Sequence, residues 1–365
     1  MVKKLIFFTT RTLTERDFKR FQFRYFLKEN FKITVCNLAV LFEYEKVISK
    51  PYNNSLNHKN LNNYESLISF LSRLNIRNTY LIPLFPINSN TINFYKLISK
   101  YKLNYINIKV GLTSSPYSKF KKIVIRLYYF FFKLFFNLKP AKIIFYAGTT
   151  AKHNLYDFKT NFQTKFISVS SFDFINFKKL KCNRHIKEPY FVFIDEIYTE
   201  HSDFRNKNIM GISSDKYFIE INRILINLEK KFNLKAIVCL HPRSSVNWSK
   251  RYTFKTITGK TPELIKYSKF VVSHSSTAIS FAVLFNKPIV QIKMDIKSNY
   301  FLNALIEYNR ELKTNILDFK NSYDLNQIDL KIDKFLYSKY VKMYFNEKGE
   351  NVYFSDELSK ILINN

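Results

Sequence analysis

Glycine is scarce, with 5 residues in a chain of 365. Neither G-x-G-x-x-G nor G-x-x-x-x-G-K-[ST] occurs. The dinucleotide turn and the P-loop, both of which need glycines to bring backbone against a phosphate, are therefore excluded. The prolines number 9 and form no block, which excludes collagen-like and proline-rich linker chains. Cys36, Cys182 and Cys239 are too few and too scattered for a disulfide framework. No C-x-x-C occurs and the 6 histidines show no metal-ligand spacing, so no metal and no cofactor are expected. The thiols fit a reducing compartment, and a cytoplasmic location is expected. Acidic residues are outnumbered, Asp+Glu 28 against Lys+Arg 59, for a formal net charge of +31. That surplus suits anionic partners: nucleotides, phosphosugars, nucleic acid or an acidic membrane surface. The basic residues are spread along the chain and carry no zinc-finger, RNA-recognition or helix-turn-helix signature, so no specific nucleic acid partner is expected. Heavy use of Lys, Asn, Ile, Phe and Tyr also fits a compositional bias with solvated lysines.

Long apolar runs are missing too. The run Leu5–Phe8 is too short for a signal peptide and reads as a first strand. Ile123 to Leu138 is the most apolar stretch, but Arg126 and Lys133 interrupt it and it is shorter than the roughly 18 residues a span needs. Its aromatics, flanked by lysines across 121–139, suit either a helix in contact with a membrane surface or a buried helix with snorkelling ends.

What is present is hydrophobic material, 46% of residues, enough for packed cores. At roughly 150 residues per domain the length predicts about two domains. Strands are expected at 3–8, 32–38, 80–85, 105–110 and 142–146. Helices are expected at 11–30, 64–74 and 91–101, and a loop over 53–63. The basic segment 178–189 marks a boundary. Beyond it the pattern restarts, with strands at 190–194, 235–240, 269–272 and 289–292 and helices at 215–232, 261–267 and 276–285. Thr261 is expected to cap the second of these helices, with Pro262 at its first position. Alternating strands and helices imply parallel sheets, hence α/β units. The expected architecture is GT-B: two Rossmann-like doubly wound domains, 1–180 on the acceptor side and 185–335 on the nucleotide-sugar side, facing a cleft. Helices in 336–365 would return to the first domain.

Ligands of open α/β sheets sit beyond the carboxyl ends of the strands. After KAIVCL stand His241, Pro242, Arg243, Ser244 and Ser245. After KFVV stand Ser273, His274, Ser275, Ser276 and Thr277, which open a helix. Hydroxyls at a helix N-terminus suit a phosphate, His241 could donate to the same phosphate, and Arg243 could add a charge-assisted contact. Carboxylates that could serve as a base are Asp195 and Glu196, after the first strand of the second half, and Asp17, beside Arg16 and Arg20. Glu200, His201 and Asp203 are further options. No Asp-x-Asp follows a strand, so no metal-held diphosphate is expected.

His241-Pro242 followed by Ser275-Ser276-Thr277 resembles the HP and SS motifs of bacterial sialyltransferase-like GT-B enzymes, and especially Kdo-transferase-like glycosyltransferases of capsule and O-antigen clusters. The likeness extends over 193–204, 239–245 and 257–290. It implies a glycosyltransferase of surface polysaccharide that takes Kdo or a related ulosonic acid from a CMP-activated donor to a glycan or lipid-linked acceptor. It implies that His241, Ser275 and Ser276 hold the CMP phosphate and that Gly259, Lys260, Thr261, Pro262 and Glu263 lie near the nucleoside. The D/E-D/E-G triplet of sialyltransferases is absent. A GT-B transferase using a UDP- or GDP-sugar and a non-catalytic polyanion-binding protein remain open as alternatives.

Overall fold

The computed structural model describes residues 3–43, 56–111, 119–155, 159–181, 184, 186–197, 213–242, 244, 246–294, 299–319 and 325–363. The chain divides into two compact units. The first takes 1–112, 120–172 and 343–365, and the second 113–119 and 173–342.

The first unit is built on β1 (Lys4–Thr9), β2 (Lys32–Asn37), β3 (Asn57–Asn60), β4 (Thr79–Pro83), β5 (Asn104–Lys109), β6 (Ile143–Tyr146) and β7 (Lys165–Ser168). All pairs are parallel and the order is β3-β2-β1-β4-β5-β6-β7. β1 is apolar on both faces because both are covered. Leu5 and Phe7 enter one core, Ile6 and Phe8 the other. The helix expected over 11–30 is two helices, α1 (Glu15–Arg20) and α2 (Phe23–Lys28). The break is Gln22, in the left-handed region at φ 52. It turns Phe21 and Phe23, only two residues apart, into one core, where both rings meet Phe7. The segment expected to be a loop, 53–63, contains β3. Its sequence NHKN is polar because it lies at the sheet edge, paired only with β2. The layers are completed by α3 (Tyr64–Ser72), α4 (Ile92–Lys100), α5 (Lys119–Phe135) and α6 (Gly148–His153).

The second unit repeats the plan with β8 (Tyr190–Ile194), β9 (Lys235–Leu240), β10 (Lys255–Thr258), β11 (Val271–Ser273), β12 (Ile289–Lys293) and β13 (Asn315–Asp318). The order is β10-β9-β8-β11-β12-β13, all parallel. In strand ranks this is 3-2-1-4-5-6, so the order reverses between β8 and β11 and leaves a crevice there at the carboxyl ends. Its helices are α7 (Phe172–Lys179, from its second residue), α8 (Ser214–Phe232), α9 (Val246–Ser249), α10 (Thr261–Tyr267), α11 (Ile279–Leu284), α12 (Asn299–Leu312) and α13 (Lys334–Tyr344, up to Lys342). Ser213 caps α8 by accepting from Lys216 N, and Asn233 ends it in the left-handed region.

From Met343 onward the chain belongs to the first unit. There α14 (Phe354–Ile363) places Phe354, Leu358 and Leu362 in the core, at helical spacing. Phe354 meets Phe145 at 4.8 Å and Phe26 at 6.0 Å between ring centroids. Each such side chain contributes about 2 kcal/mol of burial. The segment passes close over Gly148, at φ 73, where an added Cβ would stand 2.3 Å from the Met343 carbonyl oxygen. Gly148→Ala is therefore expected to lower the unfolding free energy by about 2 kcal/mol or more, measured by urea titration. Gly349→Ala, at φ 79 with open space around it, should lose less.

Candidate functional site

β8 is a central strand with every residue buried, and it ends in two carboxyls, Asp195 and Glu196. Asp195, 2% exposed, is a hub. Its Oδ1 accepts from Ile197 N at 3.1 Å and from Tyr252 Oη at 3.0 Å. Its Oδ2 accepts from Ser244 Oγ at 3.0 Å, Trp248 Nε1 at 3.0 Å and His241 N at 3.4 Å. Burial pushes the carboxyl above its ordinary range, and the bonds from Tyr252, Ser244, Ile197 and His241 pull against that rise. The loop after β9 is thus fixed from both its ends. Trp248 and Tyr252 also pack on Phe218, at 4.8 and 5.0 Å. His241, half-buried, begins this loop, and Ser244 N donates back to the His241 carbonyl at 2.9 Å.

Glu196 fixes the other loop. Its Oε1 accepts from His274 N at 2.9 Å and Ser275 N at 3.0 Å, and its Oε2 from Ser275 N at 3.3 Å. Desolvation pushes this carboxyl up to about 8 against the pull of those N–H groups, and the neighbouring Asp195 adds to the rise. The backbone N–H groups of His274 and Ser275 are therefore engaged by a side chain of the same protein. α11 also begins at Ile279, later than the expected Ser276, and Ser276 Oγ accepts from Ala278 N at 3.2 Å. Ser275 and Ser276 are partly exposed and Thr277 is exposed. His274 is structural. Its Nδ1 donates to the Ile292 carbonyl and its Nε2 accepts from Tyr217 Oη, both at 3.1 Å, and burial drops it to about 4.

The third loop carries Gly259, in the left-handed region, and exposed Lys260. Lys260 stands at the N-cap of α10, and Thr261 is its first helical residue, with Pro262 following. The expected Thr261 cap is absent because its hydroxyl instead pairs with Cys239 Sγ at 3.1 Å. Burial pushes the Cys239 thiol up to about 11, with Asp195 and Glu263 adding to the rise, which puts all three in one neighbourhood. Glu263 Oε2 is buried with no hydrogen-bond partner among the described residues. A buried, unpaired carboxyl oxygen is costly unless something else supplies a donor.

Asp17 is corrected. It stands at N3 of α1 in a capping box with Thr14, and its partner is Arg11, not Arg16 or Arg20. Arg11 binds both of its oxygens at 2.7 Å, and Thr14 donates through N and Oγ1. Burial would raise this carboxyl, but Arg11 and Thr14 overcome it and hold it at about 2. A group so engaged and so acidic is a poor proton acceptor at neutral pH. Asp195 is likewise corrected from an open base to a buried anchor. Arg243, Glu200, His201 and Asp203 lie outside the described residues. Among the described residues no cluster of His, Cys, Asp and Glu could hold a metal ion. The partners that position the loops, Tyr217, Trp248 and Tyr252, show no pattern in the sequence beyond Trp248 being the sole tryptophan.

No protein-family model matches the chain, and no curated protein is similar to it. Solved structures are similar in fold. A putative UDP-N-acetylglucosamine 2-epimerase from Listeria monocytogenes superposes with TM-score 0.53 at 11% identity, covering 100% of this chain and 96% of its own. The UDP-GlcNAc 2-epimerase from Methanocaldococcus jannaschii gives 0.50 at 13%, covering 100% of both chains. With two parallel Rossmann-like sheets and a C-terminal helix that returns to the first unit, the chain has the GT-B fold.

Asp195→Ala is expected to destabilise the protein by roughly 2–5 kcal/mol, because Trp248 and Tyr252 lose their acceptor inside the core. Trp248 emission, with no other indole to mask it, should shift to the red before the main unfolding transition. Glu196 gives a pH test. Its folded pKa of about 8 exceeds the ordinary glutamate value of 4.5, so its contribution to stability is complete below about 4.5 and is lost as pH rises through about 8. The melting temperature of the wild type minus that of Glu196→Gln should fall across this window. Parallel profiles would refute the assignment.

Proposed function

We propose that this protein is an enzyme acting on a nucleotide-activated sugar, a metal-independent GT-B glycosyltransferase that passes the sugar to a glycan or lipid-linked glycan acceptor in surface polysaccharide synthesis. One observation carries the reading. At the reversal point of the second sheet, adjacent carboxyls anchor the loop of His241 and the turn of Ser275, Ser276 and Thr277. In open parallel sheets that crevice is where nucleotides bind.

In this reading the hydroxyls of Ser275, Ser276 and Thr277 and the ring of His241 hold the phosphate next to the sugar. His241 stabilises the departing nucleotide by donating a hydrogen bond or a proton. Lys260 adds a positive charge toward the nucleotide, and Glu263 Oε2, with no partner among the described residues, accepts from a nucleoside hydroxyl. Glu196 carries a proton at neutral pH, which has two consequences. A neutral carboxyl does not repel a phosphate seated against the same turn, and it has a proton to exchange with the acceptor or the leaving group. Proton transfer is assigned to Glu196 and His241, and Asp195 keeps a positioning role.

The HP and SS motifs favour a CMP-linked ulosonic acid such as Kdo as donor. A UDP-sugar is the second reading, favoured by the solved structures of the same fold, whose names specify UDP-GlcNAc 2-epimerases. A thermal-shift panel with CMP, UDP and GDP decides between them. CMP should raise the melting temperature most, whereas a larger rise with UDP moves the donor to the UDP-sugar class and a flat response to all three removes the nucleotide site. His241→Ala should abolish sugar transfer while leaving the melting temperature of the free protein unchanged. Full activity in that variant would take His241 out of the mechanism.

A further inference from the structure

α5 is unlike the other helices of the first unit: most of its described apolar side chains face outward. Ile123, Leu127, Tyr128, Phe130, Phe131 and Phe135 are all exposed, Phe131 by 53% and Phe135 by 80%. At 100° per residue these six fall on one arc of about 160° that contains no charged residue. The inward side is marked by Ile125 and Tyr129, which are half-buried, and by Arg126, whose Nη2 donates to Asn154 Oδ1 at 2.9 Å. This is the reverse of a soluble surface helix, and it leaves a broad apolar strip on a single helix in water.

The charge of α5 and of the sequence around it has one sign. α5 itself reads KFKKIVIRLYYFFFKLF, with cations and no carboxylate. Between Glu65 and Asp157 the chain has no acidic residue, while 14 lysines and arginines occur there. That stretch contains β4, β5 and β6, which are neighbours in the sheet, together with α4, α5 and α6. A second copy of the chain laid on this strip would bring like charges together, which argues against self-association. At 17 residues α5 is too short to span a bilayer, and no described helix is long and apolar enough to cross one. An apolar arc bordered only by cations matches a helix lying along the headgroup boundary of an anionic membrane.

We propose that α5 docks the protein on an anionic lipid surface, with Leu127, Phe130, Phe131 and Phe135 in the acyl boundary and the surrounding lysines and arginines on the headgroups. The docking is independent of the nucleotide chemistry. Its test is flotation of the full chain with vesicles of phosphatidylcholine alone and of phosphatidylcholine containing phosphatidylglycerol. The wild type should float with the second and not the first, less so at high salt. Leu127→Asp combined with Phe131→Asp should weaken this partitioning roughly tenfold or more, with an unchanged melting temperature because both side chains are exposed. Separately, Phe131→Trp should show a blue-shifted emission component on the anionic vesicles. Three results would overturn the proposal: no uptake by anionic vesicles, equal uptake of the double variant, or a vesicle-free dimer that the double variant abolishes.

Discussion

Two carboxyl groups on consecutive residues divide the carboxyl edge of the second sheet between them. A strand that is apolar on both faces can end in acidic residues only if each finds donors, since an unpaired buried charge costs several kcal/mol. Asp195 finds five, and they come from Ile197 and the 241–252 segment. Glu196 finds the backbone of the turn after β11. Asp195 bonds to the segment after β9 and Glu196 to the turn after β11, so one side chain organises each flank of the reversal point. The geometry of both loops therefore depends on β8, and the loops reach their positions only when that strand is in the sheet.

The same arrangement sets the local electrostatics. The two groups cannot both ionise cheaply at close range. Burial raises both carboxyls; hydroxyl, indole and amide donors pull against the rise at Asp195, whereas Glu196 has amides alone and is pushed up to about 8. His274 beneath the turn adds no charge, because burial keeps it neutral and its two nitrogens are held by Ile292 and Tyr217. Burial thus lowers the charge on this part of the crevice floor by raising both carboxyls and keeping His274 neutral, and the chain's net charge of +31 favours an anion over it.

Much of the frame is legible in the sequence. β8 and β9 are continuous apolar runs and α8 has an unbroken 3–4 spacing, so their limits follow from periodicity. The polar edge strand β3 and the break at Gln22 do not, because the first is held by backbone pairing and the second by a packing demand of Phe7. At the candidate site, what is legible is placement: His241 and Ser275 stand beyond the carboxyl ends of β9 and β11. What the residues hold is hidden. Asp195 meets Tyr252 and Glu196 meets Ser275 across gaps of 57 and 79 residues, which no local pattern encodes. Asp17's partner is hidden for a related reason, Arg11 lying outside the helix that carries it, whereas the sequence offers Arg16 and Arg20 beside it.

The core of the first unit is assembled from both ends of the chain. Phe26 and Phe145 are made early, yet the ring that lies against both belongs to Phe354. During synthesis the seven-stranded sheet must wait, with that side of its hydrophobic layer open, while the whole second unit leaves the ribosome and becomes free to fold. The order of maturation is thereby inverted: the half translated later is the first that can close on itself, and the half translated first is sealed last.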